Sequence, residues 1–137
     1  MPHEKFPVEV LTPEGTVFDD EVELVSTKTI VGSIGILANH EPVLAMLDPT
    51  ELRLYRSDSD VVSYAQAEGY MQVAGNRVLV LVEEAHEPAS LDAAQLRGRL
   101  EEAERQLAEA GEDTEARRVA ERDVNRWREF LRIAEAS

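Results

Sequence analysis

The sequence predicts a mainly β protein with an α-helical tail: a β-sandwich or barrel of eight or more short strands, then an antiparallel two-helix hairpin. Three observations lead there. Up to about residue 85, apolar residues alternate in short runs separated by turn residues, a period of two that belongs to strands. At Glu83-Glu84-Ala85-His86-Glu87-Pro88 that period breaks. Beyond it, apolar residues recur every three or four positions in two blocks split by Gly111, the pattern of helices packed along one stripe. The predicted domains are 1–86 and 87–137. Strands that follow one another across tight turns exclude a parallel sheet with crossover helices.

Phe6, Val8 and Val10 alternate with Pro7 and Glu9, which makes a strand with one apolar face. Thr12-Pro13-Glu14-Gly15 is a turn, proline fixing φ and glycine permitting a positive one. Val17-Phe18 runs into Asp19-Asp20, and Glu21-Val22-Glu23-Leu24-Val25 is expected to alternate as one strand with its charges outward. Val43-Leu44-Ala45-Met46-Leu47 ends at the turn Asp48-Pro49-Thr50. Glu51–Arg56 and Val61–Ala65 flank a polar hairpin tip at Ser57–Asp60. Gly69–Val73 and Arg77–Val82, joined through Ala74-Gly75-Asn76, give the strongest hairpin signal in the chain. The unbroken apolar run Val78–Val82 predicts a strand covered on both faces.

Pro88 discourages helix before it, and Ser90 is expected to cap the helix that follows, with Asp92 in its first turn. The stripe of this helix is Leu96, Leu100, Ala103, Leu107 and Ala110; Gly111 stops it. Asp113 or Thr114 caps the second helix, whose stripe is Ala120, Val124, Trp127, Leu131 and Ala134. Each helix of about 20 residues is roughly 30 Å long at 1.5 Å per residue. The seam is rich in alanine, so at about 25 cal/mol per Å² it contributes only a few kcal/mol before entropy is subtracted.

With 137 residues, the chain is one domain, or one domain with a helical appendage. The net charge of −14 argues against nucleic acid or an anionic lipid surface as partner, because phosphate is repelled. No window reads as a transmembrane helix and the N-terminus has no secretory pattern, so the expectation is a soluble cytoplasmic protein; the absence of cysteine excludes disulfides and thiol chemistry but does not locate the chain. The charge is unevenly spread. Residues 1–90 carry 5 basic and 16 acidic side chains, residues 91–137 carry 9 and 12. The tail's arginines form either a salt-laced helical surface or a face for an acidic partner or a nucleotide.

The stretch around which the chain is organised is Val31–Leu44, with Gly32-Ser33-Ile34-Gly35 leading to the Asn39-His40-Glu41-Pro42 corner. It lacks the Lys-Ser/Thr ending of a phosphate loop and does not open a helix. His3, His40 and His86 are scattered, so no metal site is expected. Asn39-His40-Glu41 is read as a hydrogen-bonding corner, since adjacent strand residues face opposite ways. No nucleophile elbow or catalytic constellation is present, so no catalytic residue is assigned. One ligand arrangement remains from the residues themselves. Glu83, Leu91-Asp92, Arg99, Arg122 and Arg126 would converge if the helices fold back, with Arg122 and Arg126 one turn apart as a phosphate clamp.

Taken together, Leu11–Phe18, Gly32–Leu44, Glu68–Val73, Asn76–Leu81 and the two-helix tail resemble the epsilon subunit of the F-type rotary, proton-translocating ATP synthase, over essentially the whole chain. The resemblance implies a β-sandwich of about ten strands followed by a helical hairpin. It implies a non-catalytic rotor subunit of the central stalk, at the cytoplasmic face of the cell membrane and held there only through the complex. Lys28, Thr29, Ile30, Val31, Gly32 and Ser33 would approach the c-ring, and His40, Glu41, Pro42, Val43 and Leu44 would lie against the gamma subunit. The hairpin would leave the sandwich, reach the alpha and beta catalytic subunits, and block ATP hydrolysis. No cofactor is required. Some bacterial members bind ATP through an Ile/Leu-Asp-x-x-Arg-Ala motif; here Leu91-Asp92 match, but Gln95 and Leu96 replace arginine and alanine. With Glu83, Arg99, Arg122 and Arg126 retained, the expectation is weak or absent ATP binding. The rival readings are a free-standing nucleotide sensor built on the sandwich–hairpin junction and a small β-sandwich enzyme.

Overall fold

A computed structural model describes residues 3–137. The chain divides into two compact units, one ending at Glu87 and one spanning Pro88–Ser137. The first holds ten strands: β1 (Phe6–Thr12), β2 (Gly15–Val22), β3 (Leu24–Thr29), β4 (Gly32–Ile36), β5 (Val43–Leu47), β6 (Thr50–Ser57), β7 (Asp60–Gln66), β8 (Gly69–Ala74), β9 (Arg77–Val82) and β10 (Ala85–His86). Their order is β10-β7-β6-β3-β5-β8-β9-β1-β2, with β4 paired to β3. All pairs are antiparallel except β1 with β9, where the first long strand lies beside the last. The sheet folds over one core built from Phe6, Val8 and Val10 of β1, Leu52 and Leu54 of β6, Met71 and Val73 of β8 and Val78, Val80 and Val82 of β9. This is the β-sandwich that the alternation predicts.

The β8–β9 hairpin closes on Gly75 and Asn76 alone, both at φ +58°, so it is a type I′ turn whose twist matches its strands. Gly69, at the other end of β8, is required for a different reason. A Cβ there would lie 2.0 Å from the Leu81 carbonyl oxygen and 2.7 Å from the Val82 Cα, so β8 and β9 approach too closely for any side chain.

Two sequence expectations are corrected here. Glu21–Val25 is not one alternating strand: β2 ends at Val22, β3 begins at Leu24, and Glu23 between them is buried, its N–H donating to the Tyr55 carbonyl at 2.7 Å. The strands β2 and β3 are far apart in the sheet order, so the chain turns a corner at Glu23 and the alternation changes phase; Val22 and Val25 both point inward. The run Val78–Val82 is not covered on both faces. Val78, Val80 and Val82 are buried, whereas Leu79 is half-buried and Leu81 is 44% exposed.

A buried polar network ties three parts of the sandwich together. Gln66 is fully buried; its Oε1 accepts from the Thr27 hydroxyl at 2.8 Å, and its Nε2 donates to the Asp48 carbonyl at 2.9 Å. This network joins β3, β7 and the turn before β6.

The second unit begins with a short 3-10 turn, Pro88–Ser90, followed by α1 (Ala93–Ala110) and α2 (Thr114–Ala136). The helix cap is Asp92 and not Ser90, which lies in the 3-10 turn; the Asp92 carboxylate accepts from the Gln95 N–H at 3.2 Å. Asp113 caps α2 in the same way through the Ala116 N–H, and Gly111 ends α1 at φ +57°. Leu96 and Ala103 of α1 and Ala120 and Val124 of α2 are buried as the stripes require. Phe130 and Ile133 are buried too, although the predicted stripe passes through Leu131 and Ala134, which are half-buried.

Candidate docking surface and nucleotide residues

The predicted c-ring segment Lys28–Ser33 is the β3–β4 hairpin. Thr29 pairs with Gly32, leaving Ile30 and Val31 as the two-residue tip. The Thr29 hydroxyl donates to the Gly32 carbonyl at 2.9 Å and accepts from the Val31 N–H at 3.2 Å. Gly32 has φ +137°, a backbone that other residues rarely adopt. The tip is therefore held in a defined shape with two apolar side chains in solvent, Ile30 at 57% and Val31 at 92% exposure.

That tip continues into a sheet face. The Ile30 N–H donates to the Met46 carbonyl at 3.1 Å, which sets the tip beside β5. Met46 is paired with Tyr70 of β8, and Tyr70 with Leu81 of β9; paired residues share a face. The side chains of all three, and of Leu44 two residues before Met46, stand on the outer face of the sandwich. Six of the eight large apolar residues that are exposed among the described residues belong to this band: Ile30, Val31, Leu44, Met46, Tyr70 and Leu81. A contiguous apolar band of this kind is a candidate for contact with another surface.

The predicted gamma segment His40–Leu44 enters the band through Leu44 only. His40, Glu41 and Pro42 form the corner before β5, where Asn39 stands at φ +62° with its N–H donating to Asn76 Oδ1 at 2.7 Å and its Nδ2 to Glu4 Oε2 at 3.0 Å. His40 Nδ1 sits 2.7 Å from the Glu41 carbonyl oxygen, as a hydrogen-bonding corner requires. Met46, Tyr70 and Leu81 were missed by the sequence reading. The signal for Leu81 was available in the apolar run Val78–Val82, whose leucines were assigned to a second buried face.

Of the predicted nucleotide residues, Glu83 lies just after β9, exposed, with its N–H bonded to the Glu68 carbonyl at 3.1 Å. The others lie in the hairpin unit. The Leu91 N–H donates to the Pro88 carbonyl, and the Asp92 carboxylate is engaged as the cap of α1. Gln95 and Arg99 line an open groove of about 480 Å³ between α1 and α2, together with Gly98, Glu102, Asp123 and Trp127. The Arg99 guanidinium carbon lies 4.9 Å from the Trp127 ring centre and that of Arg126 5.4 Å, both within cation–π reach. Arg122 pairs with Asp123 at 3.1 Å. Arg122 and Arg126, the expected phosphate clamp, and Arg99 are thus each engaged by a ring or a carboxylate, and the groove itself carries two carboxylates. Among the described residues no group of histidine and acidic side chains is arranged to hold a metal ion, and no helix is long and apolar enough to cross a membrane.

Fold and surface define a class: a small β-sandwich with an exposed apolar band, followed by an antiparallel helical hairpin. Residues 5–88 match the family described as the ATP synthase delta/epsilon chain β-sandwich domain. The ATP synthase epsilon chain of Rubrobacter xylanophilus is 36% identical over 130 residues, covering 91% of this chain and 88% of the relative. That of Persephonella marina is 41% identical over 104 residues, covering 76% of each. In three dimensions, a chain of the Euglena gracilis mitochondrial ATP synthase OSCP/F1/c-ring structure superimposes with a TM-score of 0.77 at 20% identity, covering 92% of this chain and 79% of that one. A chain of the Tetrahymena thermophila mitochondrial central stalk/c-ring structure gives 0.62 at 16% identity, covering 98% and 99%. This chain belongs to the ATP synthase epsilon-chain family, whose members are non-catalytic subunits.

Proposed function

We propose that this chain is a central-stalk subunit of a proton-transporting ATP synthase, coupling the gamma subunit to the c-ring and restraining ATP hydrolysis through its helical hairpin. The observation that carries the reading is the apolar band from the β3–β4 tip across β5, β8 and β9, which leaves six large apolar side chains without cover. In this reading the tip, Lys28–Ser33, meets the c-ring. His40–Leu44 meets gamma, with Met46, Tyr70 and Leu81 extending that contact. The alpha and beta subunits are the targets of α1 and α2, and the chain is peripheral at the cytoplasmic face of the membrane, held by the complex. Solved relatives from an F1/c-ring assembly and a central stalk/c-ring assembly support this placement.

The test is deletion of residues 90–137 in the assembled enzyme. Coupled synthesis should persist and ATP hydrolysis should rise; loss of assembly would make the hairpin structural and end the inhibitory reading. Co-purification with gamma from gently solubilised membranes is expected, and a chain that runs alone would end the rotor reading.

ATP as a regulatory ligand is the second reading, favoured by Gln95 and Arg99 on one groove. Because Arg99, Arg122 and Arg126 are engaged elsewhere, binding is expected to be weak. Calorimetry on the isolated chain checks this, and micromolar affinity would overturn the expectation.

A further inference from the structure

Five of the other six glycines have a backbone reason to be glycine: Gly15, Gly32, Gly75 and Gly111 stand at positive φ, and Gly69 sits against the backbone of β9. Gly98 has none. It lies in the first half of α1 with ordinary helical geometry, it is exposed, and a Cβ placed there would meet no atom within 4 Å. Alanine would fit without strain, yet glycine in an exposed helix interior weakens the local helix about fivefold relative to alanine. Gly98 is therefore a weak point that this folded form does not require.

Its surroundings say what the weakness does. Before it, Leu96 is buried and Arg97 pairs across to Glu135 of α2 at 3.3 Å. After it, Arg99 lies over Trp127 of α2 at 4.9 Å and Ala103 is buried. Each side of Gly98 thus has its own tie to α2, and the groove beside the bare backbone leaves room for bending. We propose that Gly98 is a hinge that divides α1 into two segments, Ala93–Arg97 and Arg99–Ala110, which part from α2 one after the other and not as a single rigid helix. This does not depend on the partners assigned above.

The experiment is residue-resolved amide hydrogen exchange on the full chain, comparing wild type, Gly98→Ala and the double variant Gly98→Ala/Glu101→Gly. With Gly98→Ala, exchange at residues 97–102 should slow about fivefold while α2 keeps its wild-type rates. The double variant should restore fast exchange and move its centre toward residue 101. Equal slowing throughout α1 and α2 would mean that the hairpin opens as one unit and would overturn the proposal. So would unchanged exchange at residues 97–102.

Discussion

Replacing Leu44 by serine tests the docking band directly. Leu44 is 73% exposed, and Met46, Tyr70 and Leu81 are 50%, 51% and 44% exposed. Full burial of a large apolar side chain is worth about 1.5–3 kcal/mol, so covering the exposed part of Leu44 contributes about 1–2 kcal/mol to docking. Leu44→Ser should then weaken binding to purified gamma about 5- to 30-fold, at 1.4 kcal/mol per tenfold. Met46→Ser and Leu81→Ser each remove less exposed area and should cost about 1 kcal/mol. They stand on strands separated by β8, about 10 Å apart, with Tyr70 between them as a shared neighbour, so any departure of the double variant from the sum measures coupling through Tyr70. Calorimetric titration against gamma supplies the affinities, and thermal melting of the free chain is the control. Since most of the Leu44 side chain already faces water, Leu44→Ser should change stability by no more than about 0.5 kcal/mol, and substitution of the half-exposed Met46 and Leu81 by about 1 kcal/mol each. A large fall in melting temperature would mean these side chains belong to the core. Unchanged affinity with unchanged melting would refute the docking face.

Gly69→Ala should destabilise the sandwich by about 3 kcal/mol or more, because its Cβ would collide with the Leu81 carbonyl and force β8 and β9 apart; urea unfolding measures this, and an unchanged midpoint would contradict the pairing of Gly69 with Val82. Thr27→Val removes the hydroxyl that donates to the buried Gln66 oxygen and should cost about 1–3 kcal/mol, a fall in melting temperature of about 5–15 °C that Thr27→Ser should largely reverse. In the hairpin, hydrogen bonds from Arg105 and Arg118 hold the Glu102 and Glu115 carboxyls below their ordinary range. Folded values below unfolded ones mean that this contribution is present above the ordinary carboxylate range and is lost as pH falls through the folded values, so the hairpin's melting temperature, followed by circular dichroism, should fall slightly on acidification, as exposed ion pairs allow.

What was legible in the sequence was what local chemistry decides. Phe6, Val8 and Val10 are buried as their alternation requires, and Gly75-Asn76 forms the turn that its residue types dictate. Asp113 caps α2 because a carboxylate before a helix can accept the first free N–H groups. What failed depended on tertiary placement. Glu21–Val25 alternates convincingly, but the strand leaves one part of the sheet for another at Glu23, and no local preference encodes that corner. On α2, residues 130 and 131 both fit a 3.6-residue period from Val124 and Trp127, so the stripe could not decide between Phe130 and Leu131. The nucleotide arginines were legible as a cluster but not as already engaged, since the Trp127 ring that holds Arg99 comes from the facing helix.

The error over Val78–Val82 is the informative one. A strand with apolar residues on both faces needs cover on both, and that inference from the sequence is sound. The chain covers Val78, Val80 and Val82 fully and Leu79 in part; Leu81 on the outer face, with Tyr70 and Met46 beside it, stays about half exposed. The exposed part of such a row adds nothing to the stability of the free chain and raises its tendency to associate. In the function proposed above the missing cover is intermolecular, and the expected partner surface is apolar where it meets β5, β8 and β9. Mixing the free chain with gamma should reduce the solvent accessibility of Tyr70, read as protection from oxidative footprinting. Val61, exposed but outside the band, should keep the reactivity it has in the free chain. Equal protection of both residues would locate the contact elsewhere.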